Sequence, residues 1–162
     1  MKIILLFMLL LTPNYQAEVT AYVEAFLHRV RLTRGFDTRR EETLKLVPLV
    51  VKKSLEYDID PLLTAVKAYR ESSWQPNLTG RRGERGLLQV IPRYFKDHDL
   101  SKVEDQLDAG LSHLRKAIDI CGGDVIQGLN YYGTAPPRCK PILPFAKARY
   151  RRYRLAVRRY RQ

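Results

Sequence analysis

The sequence predicts a mainly α domain built around one central helix, with at most a short β-like stretch in a Gly-rich segment. Three features carry that expectation. Residues Pro61 to Tyr69 place Leu62, Leu63, Ala65, Val66, Ala68 and Tyr69 around most of a helical circumference, as buried central helices do. Other segments repeat apolar residues at helical spacing and stop at turn residues. One glycine-rich run, Gly80 to Gly86, separates the two groups of helices. A chain of 162 residues is one domain with enough length for a real core, and 45% hydrophobic content is ordinary.

The net charge of +12 is not ordinary. Of 29 Lys and Arg, eight fall between Lys147 and Gln162, where there is no acid. Such a tail suggests an anionic partner: wall polymer, membrane surface or nucleic acid. His28, His98 and His113 are scattered, and no cysteine or histidine spacing matches a metal site, so they read as surface or structural histidines.

Residues 1–12 hold one Lys and a short apolar run, which Pro13 breaks. A stable bilayer-spanning helix needs about 20 residues. The run matches a secretory signal peptide cleaved after Ala17, although Tyr15 stands where a small residue is preferred. An uncleaved anchor is the alternative, and either one puts the remainder outside the cytoplasm. Residues 18–40 then form an added helix and linker. Val19, Tyr22, Val23, Phe26 and Val30 give Glu18 to Arg31 an amphipathic pattern, and basic residues with Gly35 end it. Residues 41–162 form the main domain with a basic C-terminal helix.

A helix is expected from Glu41 to Tyr57, with Thr38 helping to start it and Leu46, Val47, Val50, Val51 and Leu55 facing inward. Pro48 either kinks it or begins a new helix in its first turn. Asp60 caps the central helix, with Pro61 at its first position. Beyond Pro92 a polar connection, Arg93 to Asp99, leads to a long helix from Lys102 to Asp119. Val103, Leu107, Leu111, Leu114 and Ile118 make its buried stripe, and Gly122 and Gly123 stop it. Asp124 caps a short helix presenting Tyr131 and Tyr132. Cys121 and Cys139 flank that segment, and in an exported chain such a pair is expected to form a disulfide. Closing a loop of about 19 residues contributes roughly 3 kcal/mol in the chain-entropy description. Phe145, Tyr150, Tyr153, Val157 and Tyr160 share one side of a final helix, with arginines elsewhere.

Glu71 is the residue with chemical promise. Thr64, Lys67, Arg70 and Glu71 fall on one side of the central helix. Glu71 lies near the C-terminal end, where the helix dipole disfavours negative charge, and partial burial acts the same way. Both predict a raised pKa, suited to a general acid, with Arg70 opposing. The residues alone leave open a surface glutamate at a frayed helix end.

Three blocks carry a resemblance. E-S-S-W-Q-P at Glu71, G-E-R-G-L-L-Q-V-I-P ending at Pro92, and L-N-Y-Y-G-T-A-P-P around Tyr131 are similar, in order and spacing, to the motifs of the soluble lytic transglycosylase domain. That family belongs to the lysozyme-like superfamily, and the likeness covers about residues 41 to 155. It implies an α+β lysozyme-like fold and a peptidoglycan substrate. It further implies that Glu71 protonates the bond between N-acetylmuramic acid and N-acetylglucosamine, then takes the C6 hydroxyl proton as a 1,6-anhydro ring closes. No cofactor and no metal enter this chemistry. By the resemblance Ser73 supports Glu71 or the N-acetyl group, Gln89 binds sugar or orients the site, and Tyr131 lines the cleft. Tyr132 and Tyr150 are further candidates for it, while Trp74 stacks on sugar or sits in the core.

The chain departs from the family pattern at Glu84, where a small residue is usual, at Gly80 in place of Ser, and after Tyr131, where Asn is missing. Glu84, Asp97, Asp99 and Glu104 are nearby acids without a motif context, and a hydrolytic lysozyme on the same fold, with an Asp of the loop after Pro92 as partner, is one alternative. A non-catalytic basic wall- or nucleic-acid-binding protein is another; export argues against nucleic acid. The expected chain is a periplasmic or envelope-associated monomer whose basic tail meets an anionic envelope surface or a secretion, conjugation or phage apparatus.

Overall fold

A computed structural model describes residues 14–34 and 40–161, with side chains from 14–28 and 40–161. Residues 1–13 of the expected leader, and Thr38, lie outside the described residues, while its last three, Tyr15 to Ala17, are the first of the N-terminal helix. Seven α-helices occur among them: α1 Tyr15–Arg34, α2 Arg40–Lys45, α3 Val47–Glu56, α4 Pro61–Ser72, α5 Val103–Ile120, α6 Val125–Gly133 and α7 Pro144–Tyr160. A 3-10 turn, Pro92–Tyr94, opens the connection to α5. The described residues contain no β-strand, only isolated antiparallel bridges Thr79–Arg85 and Arg85–Val90 in the Gly-rich segment. The fold class is therefore the helical one expected, with the β-like stretch where the glycines lie.

Helix α4 is the hub. Its residues Pro61 through Ala68 are all buried, and it packs against α1, α3 and α7. Each fully buried Leu or Val side chain contributes about 1.5–3 kcal/mol. Leu62 and Val66 of α4 meet a core that includes Val19 and Val23 of α1 and Leu107, Leu111 and Leu114 of α5. Phe26 also reaches Tyr69, their ring centroids 4.4 Å apart. Helix α5 packs against α3 and α6. A Cβ on its Gly110 would stand 2.5 Å from a Leu88 methyl, so the loop below α4 rests directly on the α5 backbone.

Local chemistry explains most boundaries. Pro48 does not kink one helix: α3 begins afresh, with Pro48 in its first turn and Leu46 before it. The expected inward stripe fails at Leu55, which is 50% exposed. Leu55 lies on the outward side of the last turn of α3, where Ser54, 0% exposed, takes the inward position. Gly122 and Gly123 have φ of +72° and +83°, the left-handed turn that ends α5. Asp124 Oδ1 accepts the Ile126 and Gln127 amides at 3.0 and 3.1 Å and starts α6. Cys121 and Cys139 are joined by a disulfide, tying the end of α5 to the loop after α6.

Asp60 does more than cap. Its Oδ1 accepts the Leu62 amide at 2.9 Å and Arg161 Nη2 at 2.9 Å. Its Oδ2 accepts Tyr153 and Arg161 at 2.8 Å each. Arg161 also holds the buried Glu18 of α1. One carboxylate thus joins the start of α4, both termini of the described chain and α7. Burial pushes the Asp60 carboxyl up, but Arg161, Tyr153 and the Leu62 amide outweigh it and hold it below the usual range. A depressed carboxylate stabilises the fold above its unfolded pKa and loses that contribution as pH falls through the folded value. Asp60→Asn is expected to cost about 1–3 kcal/mol at neutral pH. Urea unfolding of both proteins should show the difference vanishing in strong acid.

Candidate active site

Glu71 sits in the last turn of α4, its side chain 16% exposed. Two cations converge on one oxygen. Lys67, one turn earlier, places Nζ 2.8 Å from Glu71 Oε1, and Arg149 of α7 places Nη2 3.0 Å from the same atom. Glu71 Oε2 receives no hydrogen bond from the described residues. Lys67 is itself 1% exposed. Its ammonium lies 3.4 Å from the centre of the Tyr132 ring, on α6. Tyr132 is held in turn by a 3.0 Å hydrogen bond from its hydroxyl to the Leu88 carbonyl. His113 of α5 packs on the other part of this stack, 4.7 Å from Tyr132 and 6.0 Å from Phe95.

The electrostatics correct the expectation of a raised Glu71 pKa. Burial does push the carboxyl up, but Lys67, Arg149 and then Arg70 together hold it below the ordinary glutamate range. Lys67 pays for this arrangement. Burial and the neighbouring Arg149 bring its ammonium down to about 8, against the opposing pull of Glu71. The resting site is an ion pair, Lys67 ammonium with Glu71 carboxylate, flanked by a guanidinium whose charge is permanent. Burial and Lys67 likewise lower His113.

The loop after α4 frames the open side. Ser73 and Trp74 have φ of +51° and +61°, so the chain leaves the helix through two left-handed residues. Ser72 Oγ lies 3.0 Å from the carbonyls of Ala68 and Leu87, pinning the helix end to the loop. Gly80 N donates to Glu84 O at 2.8 Å, and Arg85 and Val90 exchange hydrogen bonds of 2.8 and 3.1 Å. Gln106 supports the loop from α5: its Oε1 accepts the Leu87 amide at 3.0 Å, and its Nε2 donates to the Pro76 and Leu100 carbonyls. Gly86 has φ +74°, and a Cβ there would collide with Gln106.

The expected site residues separate into two groups. Tyr132 stands against the Lys67–Glu71 pair. Tyr131, half-buried, makes no hydrogen bond or ring contact with that pair; successive helical residues point about 100° apart. Gln89 has φ +50° and spends its amide on the Leu78 and Gly86 carbonyls, at 3.2 and 2.9 Å, as a brace of the loop. Ser73 is exposed at the helix end, and the buried hydroxyl is Ser72. Tyr150 packs near Tyr153 and lines a shallow depression with Lys147, Arg151, Arg154 and Arg158. Trp74, 2% exposed, belongs to the core and not to a sugar platform. Lys67, Arg149 and Gln106 were not singled out by the sequence. Lys67 carried a signal, since it shares the polar side of an otherwise apolar helix; Arg149 and Gln106 carried none.

The other candidate acids are engaged elsewhere or free in solvent. Glu84 pairs with Arg82, Asp99 with Ser101 and Lys102, and Glu104 with the buried Lys53, while Asp97 is exposed. None shares a partner with Glu71. Among the described residues no group of His, Cys, Asp and Glu could hold a metal ion, and no helix is long and apolar enough to cross a membrane.

Comparison with known families gives one match: the transglycosylase SLT domain, over residues 48–138, more than half of the chain. No curated protein and no solved structure matches. Within that span the helix carrying Glu71, the glycine loop and the Tyr132 stack form one unit, and Arg149 joins it from beyond the matched residues. Gly86→Ala is expected to destabilise the protein by about 1–3 kcal/mol through crowding and a left-handed backbone. Thermal unfolding of the variant checks it; an unchanged midpoint would remove Gly86 from this account.

Proposed function

This chain belongs to the transglycosylase SLT domain family, and from that premise we propose that it cleaves peptidoglycan between N-acetylmuramic acid and N-acetylglucosamine, leaving a 1,6-anhydromuramoyl end. Family membership makes it a peptidoglycan-acting enzyme of lytic transglycosylase type, at work outside the cytoplasm. The finer reading assigns Glu71 both proton transfers. As an acid it protonates the leaving C4 oxygen of N-acetylglucosamine. The muramoyl N-acetyl group stabilises the cationic C1. As a base, the carboxylate removes the C6 hydroxyl proton while that oxygen closes on C1. Substrate and products balance without water.

The observation that carries this reading is the isolation of Glu71. Among the described residues no other carboxylate pairs with Lys67 or Arg149: Glu84 is as buried but is tied to Arg82, and Asp97, Asp99 and Glu104 are exposed. Two-carboxylate hydrolysis needs a second group positioned across the bond. Tyr132 is placed to shape the cleft through Leu88, with Gln89 bracing its loop. Residues 41–162 carry the activity on this reading, residues 1–17 direct export or anchor the chain, and the arginines of α7 meet an anionic envelope surface.

Glu71→Gln keeps an acceptor for Lys67 and Arg149 but cannot carry the proton. Lysis of sacculi is expected to fall by about 10²–10⁴ or more with the fold retained. Mass spectrometry of the wild-type digest should give anhydromuramoyl ends. Products heavier by one water would identify a hydrolase, and undiminished lysis by a folded Glu71→Gln protein would reject the role of Glu71.

A further inference from the structure

The site as described holds a contradiction that the residues themselves resolve. The first chemical step needs a protonated Glu71, yet two cations hold Glu71 ionised. A proton taken from bulk water at neutral pH would have to overcome both. The structure already holds a proton donor whose nitrogen is 2.8 Å away, on a side chain only 1% exposed.

We propose that Lys67 is the proton source for Glu71: the buried ammonium passes its proton to the carboxyl when glycan covers the site, and regains it when the product ring closes. The proposal rests on the reading of Glu71 as acid and base given above. Three geometric facts and one argument from solvation support it. The donor and acceptor are one helical turn apart in direct contact. Lys67 has no other hydrogen-bond acceptor among the described residues, so its proton has one place to go. Its remaining contact, the Tyr132 ring at 3.4 Å, stabilises the charged amine without accepting a proton. Covering the open edge of Glu71 removes the last solvent from the pair, and a low-dielectric site favours the neutral pair over separated charges.

The charged and titratable groups around Lys67 pull in different directions, and they single out one donor. Glu71 on its own helix is the acceptor. Arg149, from α7, repels the ammonium and cannot lose its own proton. Tyr132, from α6, stays protonated because burial and Glu71 raise it far above the ordinary tyrosine range. His113, from α5, is held neutral by burial and by Lys67 itself, with Lys116 adding to the effect. Arg70 is exposed and aids ionisation of Glu71. Of the two cations on Glu71 Oε1, Lys67 alone can therefore act as an acid, in keeping with an ammonium brought down to about 8.

The proton inventory closes. Lys67 Nζ–H breaks and Glu71 O–H forms; Glu71 O–H breaks as the C4 oxygen takes the proton. After the glycosidic bond has cleaved, the C6 hydroxyl returns a proton to Glu71 and so to Lys67. No oxidant, reductant or net proton is required.

Lysis by purified wild-type, Lys67→Met, Lys67→Arg and Glu71→Gln protein, measured from acid to alkaline pH with thermal unfolding beside it, tests this. The wild type should lose activity as pH rises through about 8, where the pair loses its proton. Lys67→Met leaves Glu71 to draw protons from bulk, so its alkaline limb should move down by about two pH units or more. Lys67→Arg preserves a cation but not an acid, and a folded variant should lose about 10²–10⁴-fold at neutral pH. A role limited to charge or packing predicts otherwise: Arg restores activity, and Met either leaves the alkaline limb in place or moves it up, because loss of a cation raises the Glu71 carboxyl. Either result overturns the proposal, and either variant decides alone if the other does not fold. An inactive Glu71→Gln beside an unshifted Lys67→Met rejects Lys67 only, whereas an active Glu71→Gln rejects both readings.

Discussion

A lysine ammonium shut away from water needs a carboxylate beside it, and the architecture around Glu71 follows from that need. Lys67 lies among the most buried large side chains of the protein. Desolvating an ammonium costs several kcal/mol even after relaxation, so the compensating contacts must be good. They are a 2.8 Å ion pair to Glu71 and the face of Tyr132. Each contact imposes order on another element. Glu71 must stay at the end of α4, Tyr132 must be fixed by Leu88, and α6 must lie where its ring can cover the amine.

The same pair explains why α7 matters beyond the family-matched span. Arg149 completes the site, while Arg161 and Tyr153, further along, lock the opposite end of α4 through Asp60. Helix α7 therefore clamps α4 at both its first residue and its last turn. The glycine loop makes the remaining wall. Its backbone turns through left-handed residues at Ser73, Trp74, Gly86 and Gln89, and buried Gln106 and Ser72 hold it there. Strain of that kind persists where the surroundings over-determine the conformation.

Local pattern made the helices legible. The all-apolar face of α4, the Asp60–Pro61 start and the paired glycines after α5 each act within a few residues, so the chain displays them directly. Glu71 stood out as the candidate acid for the same reason, together with its motif. Its ionisation was not. The dipole, burial and Arg70 were visible from the sequence, but the deciding charges were Lys67, whose depth depends on α6, and Arg149, which arrives from the far end of the chain. The motif put Tyr131 ahead of Tyr132, but the placement of α6 sets Tyr132 against Lys67, because adjacent helical positions face different neighbours. Leu55 was misread because the polar Ser54, bonded to Thr64, takes the inward position in that turn.

The account stands on Glu71 being a carboxylate held by two cations in the resting protein. Carboxyl carbon chemical shifts of glutamate-labelled protein, followed through an acid titration, read that state directly. Glu71 should titrate below the ordinary glutamate value of about 4.3. A Glu71 signal that titrates above that value, as an isolated buried acid would, contradicts the ion pair on which the site is built.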